Sequence, residues 1–323
     1  MKAWIYRRYG PPDVLEMTEI ARSVPRQNEV LIKVHATTVN SGDWRLRSLE
    51  LPRGFGLLGR MLFGFWGPRK PVLGMELAGE IVATGNKVDN FKTGDRVFAD
   101  TSEGYGAHAQ FRTIDADGPL ALIPDGIGYN EAAAICFGGT TALHFLRQLG
   151  NIKPGETVLI NGASGTTGTA FVQLAKFFGA EVTGVCSTGN IELVKSIGAD
   201  MVIDYLNEDF TKNGKHYDLI IDTAGTAPWS RSKPSLAKTG RLLLVNGSLA
   251  DMLKSAFVSK KHGKKLISGV AMGRPEDLRF LAGLVGAGQF TPVIDCTFPF
   301  EKMREAHALV DTGHKRGSVV VTL

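Results

Sequence analysis

The run Asn161-Gly162-Ala163-Ser164-Gly165-Thr166-Thr167-Gly168 constrains this chain more than any other segment, because a strand pattern precedes it and a helix pattern follows. Val158-Leu159-Ile160 is continuously apolar, and Ala170 to Gly179 carries apolar residues at helical spacing before ending on glycine. Strand, glycine turn and helix in that order make a phosphate cradle. Glycines at 162, 165 and 168 permit a tight turn, let the backbone approach a pyrophosphate without an intervening Cβ, and bring helix and strand close together. The N–H groups that open the helix then bind the anion. Gly162, Ala163, Ser164, Gly165, Thr166, Thr167 and Gly168 are therefore expected to bind a dinucleotide; an ordinary glycine-rich turn is the plainer alternative.

The next strand, Glu181 to Cys186, bears on which dinucleotide. An NAD site usually ends this strand on Asp or Glu, which holds the ribose 2′-hydroxyl. Here Cys186-Ser187-Thr188 follows, with no carboxylate to repel a 2′-phosphate, and Ser187, Thr188 and Asn190 can donate hydrogen bonds to one. NADPH is the expected cofactor. Gly189 stands where a basic residue would have strengthened the reading, so cationic help would have to come from Lys315 or Arg316 through tertiary structure.

The 323 residues suit two domains. A hydrophobic fraction of 43% with 21% charged residues describes a globular chain, and the net charge of +5 is dispersed without a basic stripe, which argues against nucleic acid. No apolar run approaches the roughly 18 residues of a membrane span, and the N-terminus lacks a signal-peptide core, so no integral membrane segment and a cytoplasmic address are expected. Cys136, Cys186 and Cys296 are odd in number and widely separated, which disfavours a disulfide framework.

Short alternating strands dominate the first part, as at Val30 to Ala36, Glu80 to Gly85 and Asp95 to Ala99. From about Gly126 apolar strands alternate with helices, at 158–160, 181–186, 201–205, 218–222 and 241–247, which implies a doubly wound parallel α/β sheet.

Pro71-Val72-Leu73-Gly74-Met75-Glu76-Leu77-Ala78-Gly79-Glu80 through Gly85, followed by Phe91-Lys92-Thr93-Gly94-Asp95-Arg96-Val97, resembles the signature of the medium-chain dehydrogenase/reductase superfamily. Val39-Asn40-Ser41-Gly42-Asp43, Ala132-Ala133-Ala134 before Thr140-Thr141-Ala142, and the glycine loop fit the same pattern, so the resemblance spans nearly the whole chain. Within it the chain is most similar to the zinc-independent quinone oxidoreductase and enone reductase branch. The resemblance implies a GroES-like partial barrel at 1–125, completed by 273–323, around a Rossmann domain at 126–272. It also implies a homodimer.

By resemblance, the positions where a zinc alcohol dehydrogenase of this superfamily carries its ligands correspond to Asn40, Met75 and Cys136, and the structural-zinc insertion is missing before Gly104-Tyr105. No metal site is expected. The chemistry implied is hydride transfer from NADPH to an α,β-unsaturated carbonyl or a quinone. By resemblance, Asn40 and Thr140 lie near the nicotinamide, Asn246 and Gly247 meet its carboxamide, and Tyr205 contacts the adenosine phosphate. The plainer roles are a turn for Asn40, a helix cap for Thr140 and a sheet edge for Tyr205. Some relatives place a proton-donating Tyr after the Asn-x-x-Asp block, but no Tyr occurs between Tyr9 and Tyr105, so Tyr105, Asp43 and His108 are the remaining side-chain candidates. The apolar, glycine-rich segment 51–67 either walls a pocket for a hydrophobic substrate or packs on the barrel, with a membrane-surface contact as a third reading. Two competing functions stand beside the reductase: a non-catalytic NADPH-binding sensor or partner protein, and a zinc-type alcohol dehydrogenase.

Overall fold

The computed structural model describes residues 1–261, 263–271 and 273–323. The chain divides into two compact units, one formed by Met1–Leu51, Gly56–Thr140 and Met272–Leu323, the other by Pro52–Phe55 and Thr141–Ala271.

The first unit opens with β1 (Lys2–Tyr6), β2 (Leu15–Glu19) and the long β3 (Glu29–Val39), then α1 (Ser41–Ser48) and α2 (Gly56–Phe63). It continues through β4 (Glu76–Thr84), β5 (Arg96–Asp100), β6 (Phe111–Asp115), β7 (Leu120–Leu122), α3 (Tyr129–Ala133) and the start of α4 (Cys136–Leu143). Alternation along β3 and β4 buries Val30, Ile32, Val34, Leu77 and Ile81 in one cluster with Val97 and Ala99 of β5, which is the ordinary consequence of period-2 patterning. Residues 126–140, expected with the nucleotide domain, belong instead to this unit, because α3 packs on β3, β4 and β5.

The second unit runs through β8 (Thr157–Asn161), α5 (Thr166–Phe177), β9 (Glu181–Cys186), α6 (Ile191–Ser196), β10 (Met201–Asp204), β11 (Tyr217–Asp222), α7 (Trp229–Ser232), β12 (Leu236–Leu244), α8 (Leu249–Lys261) and β13 (Lys265–Ser268). Its six strands are all parallel in the order β10-β9-β8-β11-β12-β13. Val158, Leu159 and Ile160 of the central β8 have no exposed surface, as a strand covered on both faces requires. This is the Rossmann order, in which the crevice for a dinucleotide opens where the winding direction reverses, beside β8. The strand Arg241 to Leu244 is interior, between β11 and β13; the sheet edges are β10 and β13.

The chain then returns to the first unit with α9 (Pro275–Gly286), β14 (Ile294–Pro299), α10 (Met303–Asp311) and β15 (Ser318–Thr322). β15 pairs antiparallel with β3, Val319 opposite Val39, so the C-terminus closes the seven-strand sheet beside the residues that lead into α1.

Candidate active-site residues

The glycine loop leaves β8 at Asn161. Gly162 has φ +85, a conformation that favours glycine, and its N–H and that of Ala163 both donate to the Val185 carbonyl at 3.1 and 3.0 Å, fastening the loop to β9. A Cβ at Gly168 would stand 2.0 Å from the Gly162 carbonyl oxygen, so the first turn of α5 can lie this close to the loop only as glycine. Gly165 is different: a Cβ there meets nothing nearer than 3.8 Å, and no side chain caps α5. Thr166 and Thr167 are the first two residues of α5, so this helix start has a bare backbone in front of it. It fits a pyrophosphate.

Asn190 draws the expected ribose-side residues together, donating through Nδ2 to Ser164 Oγ of the loop and to Ser187 Oγ at the end of β9, both at 3.1 Å. Thr188 donates to Asp204 Oδ2 at 2.5 Å. The sequence reading missed this carboxylate: none follows β9 along the chain, but Asp204 lies opposite Cys186 in the β10–β9 ladder. Its carboxyl is held below the usual range by the Thr188 hydroxyl, then by the Leu206 N–H and the Asn207 amide. Tyr205 follows it, largely exposed, with its N–H on the Cys186 carbonyl at 3.1 Å. Asn246 donates to the Thr223 carbonyl at 2.9 Å, and Gly247 lies against Ser268, where a Cβ would come within 2.1 Å of Oγ. Lys315 and Arg316 belong to the β-rich unit. There the Lys315 ammonium donates to Gly317 O at 2.9 Å, and burial lowers it to about 8 against the opposing pull of Glu76 and Asp295. Arg316 is exposed and donates its backbone N–H to Asp295.

In the β-rich unit, Asn40 caps α1. Its Oδ1 accepts from the Gly42 and Asp43 N–H groups at 2.9 and 3.2 Å, while its own N–H donates to Asp43 Oδ2 at 3.1 Å, a reciprocal capping box. These bonds fix the amide plane. The remaining group, Asn40 Nδ2, is buried and makes no hydrogen bond. Asp43 Oδ1 accepts from Gly74 N–H at 2.9 Å, and burial raises this carboxyl against the pull of His108 and the two backbone donors. Tyr105 is half-buried at φ +53, an uncommon backbone for a non-glycine residue; burial, then the Asp43 charge, raises its phenol. The His108 Nε2 faces the Thr38 carbonyl at 2.9 Å and must donate to it, while its buried Nδ1 has no hydrogen-bond partner. The Thr140 hydroxyl donates back to the Cys136 carbonyl at 2.8 Å, inside α4 rather than at a cap.

Around these residues lies a buried set of ionisable side chains that sequence spacing does not reveal. Glu76 accepts from the Thr38 hydroxyl and from Phe137 N–H, and burial pushes its carboxyl up to about 8. Arg47, fully buried on α1, donates to Asp311 Oδ2 at 2.6 Å, His307 Nδ1 at 2.9 Å and Gly10 O at 3.1 Å, clamping α1 to α10. Among the described residues, no group of three His, Cys, Asp or Glu side chains converges as a metal site. The side chains at the expected zinc positions are an amide, a thioether that packs against Gly42, and the Cys136 thiol, which burial holds well above its ordinary range. That donor set does not fit a zinc Lewis acid.

Comparison with known proteins places the fold in a family. Residues 26–142 match the alcohol dehydrogenase GroES-like domain, and residues 197–321 match a family described as zinc-binding dehydrogenase. The chain is 33% identical to the chloroplast envelope quinone oxidoreductase homolog of Arabidopsis thaliana over 99% of this chain and 98% of that protein. It is 30% identical to the 2-methylene-furan-3-one reductase of Solanum lycopersicum over 99% of this chain and 79% of that protein. The Escherichia coli quinone oxidoreductase solved with NADPH superposes with a TM-score of 0.83 at 25% identity, covering 100% of both chains. The chain belongs to the medium-chain dehydrogenase/reductase superfamily of oxidoreductases, among its quinone oxidoreductase homologues.

Proposed function

We propose that this protein is a zinc-independent oxidoreductase that uses NADPH to reduce an apolar α,β-unsaturated carbonyl compound or a quinone. The observation that carries the reading is the Asn40 amide, whose oxygen is consumed by the cap of α1 and whose Nδ2 is a buried donor without a partner. A donor fixed in this way stabilises negative charge on the acceptor oxygen as an enolate or quinol anion forms, and costs no reorganisation when it does so. NADPH, when bound, supplies the hydride.

The chain's own residues bind and orient the reactants. Gly162 to Gly168 hold the pyrophosphate; Ser187, whose hydroxyl Asn190 orients, and Tyr205 take the adenosine 2′-phosphate, while Thr188 is engaged by Asp204; Asn246 and Gly247 meet the nicotinamide carboxamide. Lys315 and Arg316 are not part of this set. Tyr105 is the side chain assigned to return a proton to the enolate; burial and Asp43 raise its phenol, so the transfer relies on the greater basicity of the enolate. A homodimer paired through the unpaired edge of β13 completes the reading.

The test is consumption of NADPH and of NADH by metal-analysed protein, with enones, alkenals and quinones as acceptors and with chelator present. Acceptor-dependent, chelator-insensitive oxidation that prefers NADPH is expected. Loss of activity on chelation would support the zinc-type alternative, and tight NADPH binding without turnover of any acceptor would support the sensor.

A further inference from the structure

The segment α2 with the turn that follows it inverts the usual helix pattern. The sole buried residue of α2 is Gly59, where a Cβ would lie 2.0 Å from the Leu51 side chain, while Leu57, Leu58, Met61 and Leu62 face solvent. Phe65 and Trp66 extend this surface as an edge-to-face pair with ring centroids 5.5 Å apart, and Trp66 is 93% exposed. The shape is built in rather than loose. Gly64 N–H donates to Arg60 O at 3.0 Å, Arg69 N–H to Phe63 O at 2.8 Å, and Tyr9 Oη to Gly64 O at 2.8 Å. The guanidinium groups of Arg60 and Arg69 each hold one carbonyl of the turn, Phe65 O and Leu62 O.

Charge identifies the occupant. Arg60, Arg69 and Lys70 are exposed around the apolar surface, and no acidic residue occurs between Glu50 and Glu76. Two copies meeting through this face would bring cations against cations. An anionic bilayer complements it, accepting leucine, methionine and tryptophan at the acyl boundary and arginine and lysine among the phosphates. We infer that α2 and residues 64–70 dock the protein onto an anionic lipid surface. Docking stands whether or not the acceptor is a quinone or an enone.

The full-length protein is mixed with vesicles of phosphatidylcholine alone or of phosphatidylcholine with an equal amount of phosphatidylglycerol, and bound protein is separated by flotation. Partitioning should be at least about tenfold stronger on the anionic vesicles and weaken with salt. Tryptophan emission should move to shorter wavelength on binding, and Trp66→Phe should abolish that shift. The double variant Leu57→Ser with Met61→Ser should lose about 100-fold in partitioning, since each exposed apolar side chain contributes about tenfold when buried. Absence of flotation, equal flotation on both vesicle types, or a double variant that binds like the parent would overturn the inference. A double variant that changes oligomeric state or KM but not flotation would assign the surface to a second copy or to the substrate.

Discussion

Asn40 and Glu76 make the sharpest predictions at the residue scale. Asn40→Asp keeps an oxygen for the α1 cap but replaces the Nδ2 donor with an acceptor. Turnover should fall by about 100-fold or more while NADPH affinity is preserved; equal kcat in the variant would remove Asn40 from the oxyanion role. Glu76 makes a pH prediction of defined sign. Its carboxyl rises from 4.5 to about 8 on folding, so the folded state retains a proton that the unfolded chain has released across that window. The group therefore costs progressively more stability as pH rises from 4.5 to about 8. Glu76→Gln, whose amide oxygen can accept from Phe137 N–H and whose NH2 can donate to Thr38, should flatten that part of the Tm–pH profile relative to wild type. Parallel profiles would show that Glu76 ionises readily in the fold. The roles differ in legibility: Asn40 could be named from a local motif, whereas the burial that raises Glu76, and the Thr38 and Phe137 hydrogen bonds that oppose it, arise only in the fold.

At the scale of elements, the loop before α5 separates folding from binding. Gly168→Ala would place a methyl group against the Gly162 carbonyl, where the backbone on both sides leaves no room, and should lower Tm. Gly165→Ala has space for its methyl and an ordinary backbone, φ −77 and ψ 172, so it should fold normally yet bind NADPH at least about tenfold more weakly by obstructing the phosphate. Calorimetric unfolding and cofactor titration of the two variants distinguish these effects; undiminished affinity in Gly165→Ala would move the phosphate elsewhere. The element itself was readable because strand, glycines and helix are contiguous. Segment 51–67 was not: its composition admits either a pocket wall or a packed helix, and only the fold shows Gly59 turned inward and the large side chains outward. Asp204 escaped for a related reason, since it reaches Thr188 across a strand ladder and not along the chain.

The whole molecule depends on long-range closure within the β-rich unit, where β15 joins β3 and the Arg47 clamp ties α1 to α10. Arg47 is fully buried, so Arg47→Ala leaves the Asp311 carboxylate without its cation and should cost about 3 kcal/mol or more, read as a shift in the urea midpoint. An unchanged midpoint would show that the clamp is dispensable. The two-unit architecture was legible in the change of strand and helix pattern and the chain's final return in the family resemblance, but Arg47, His307 and Asp311 lie too far apart in sequence for spacing to join them. The central claim is hydride transfer to an acceptor carbon conjugated to an oxygen, and its most direct test is isotopic. With NADPH deuterated at the transferred position of C4 and an α,β-unsaturated ketone as acceptor, mass spectrometry of the product should find one deuterium at the former β-carbon. A saturated product carrying none, or deuterium at the carbonyl carbon of an alcohol, would contradict the account.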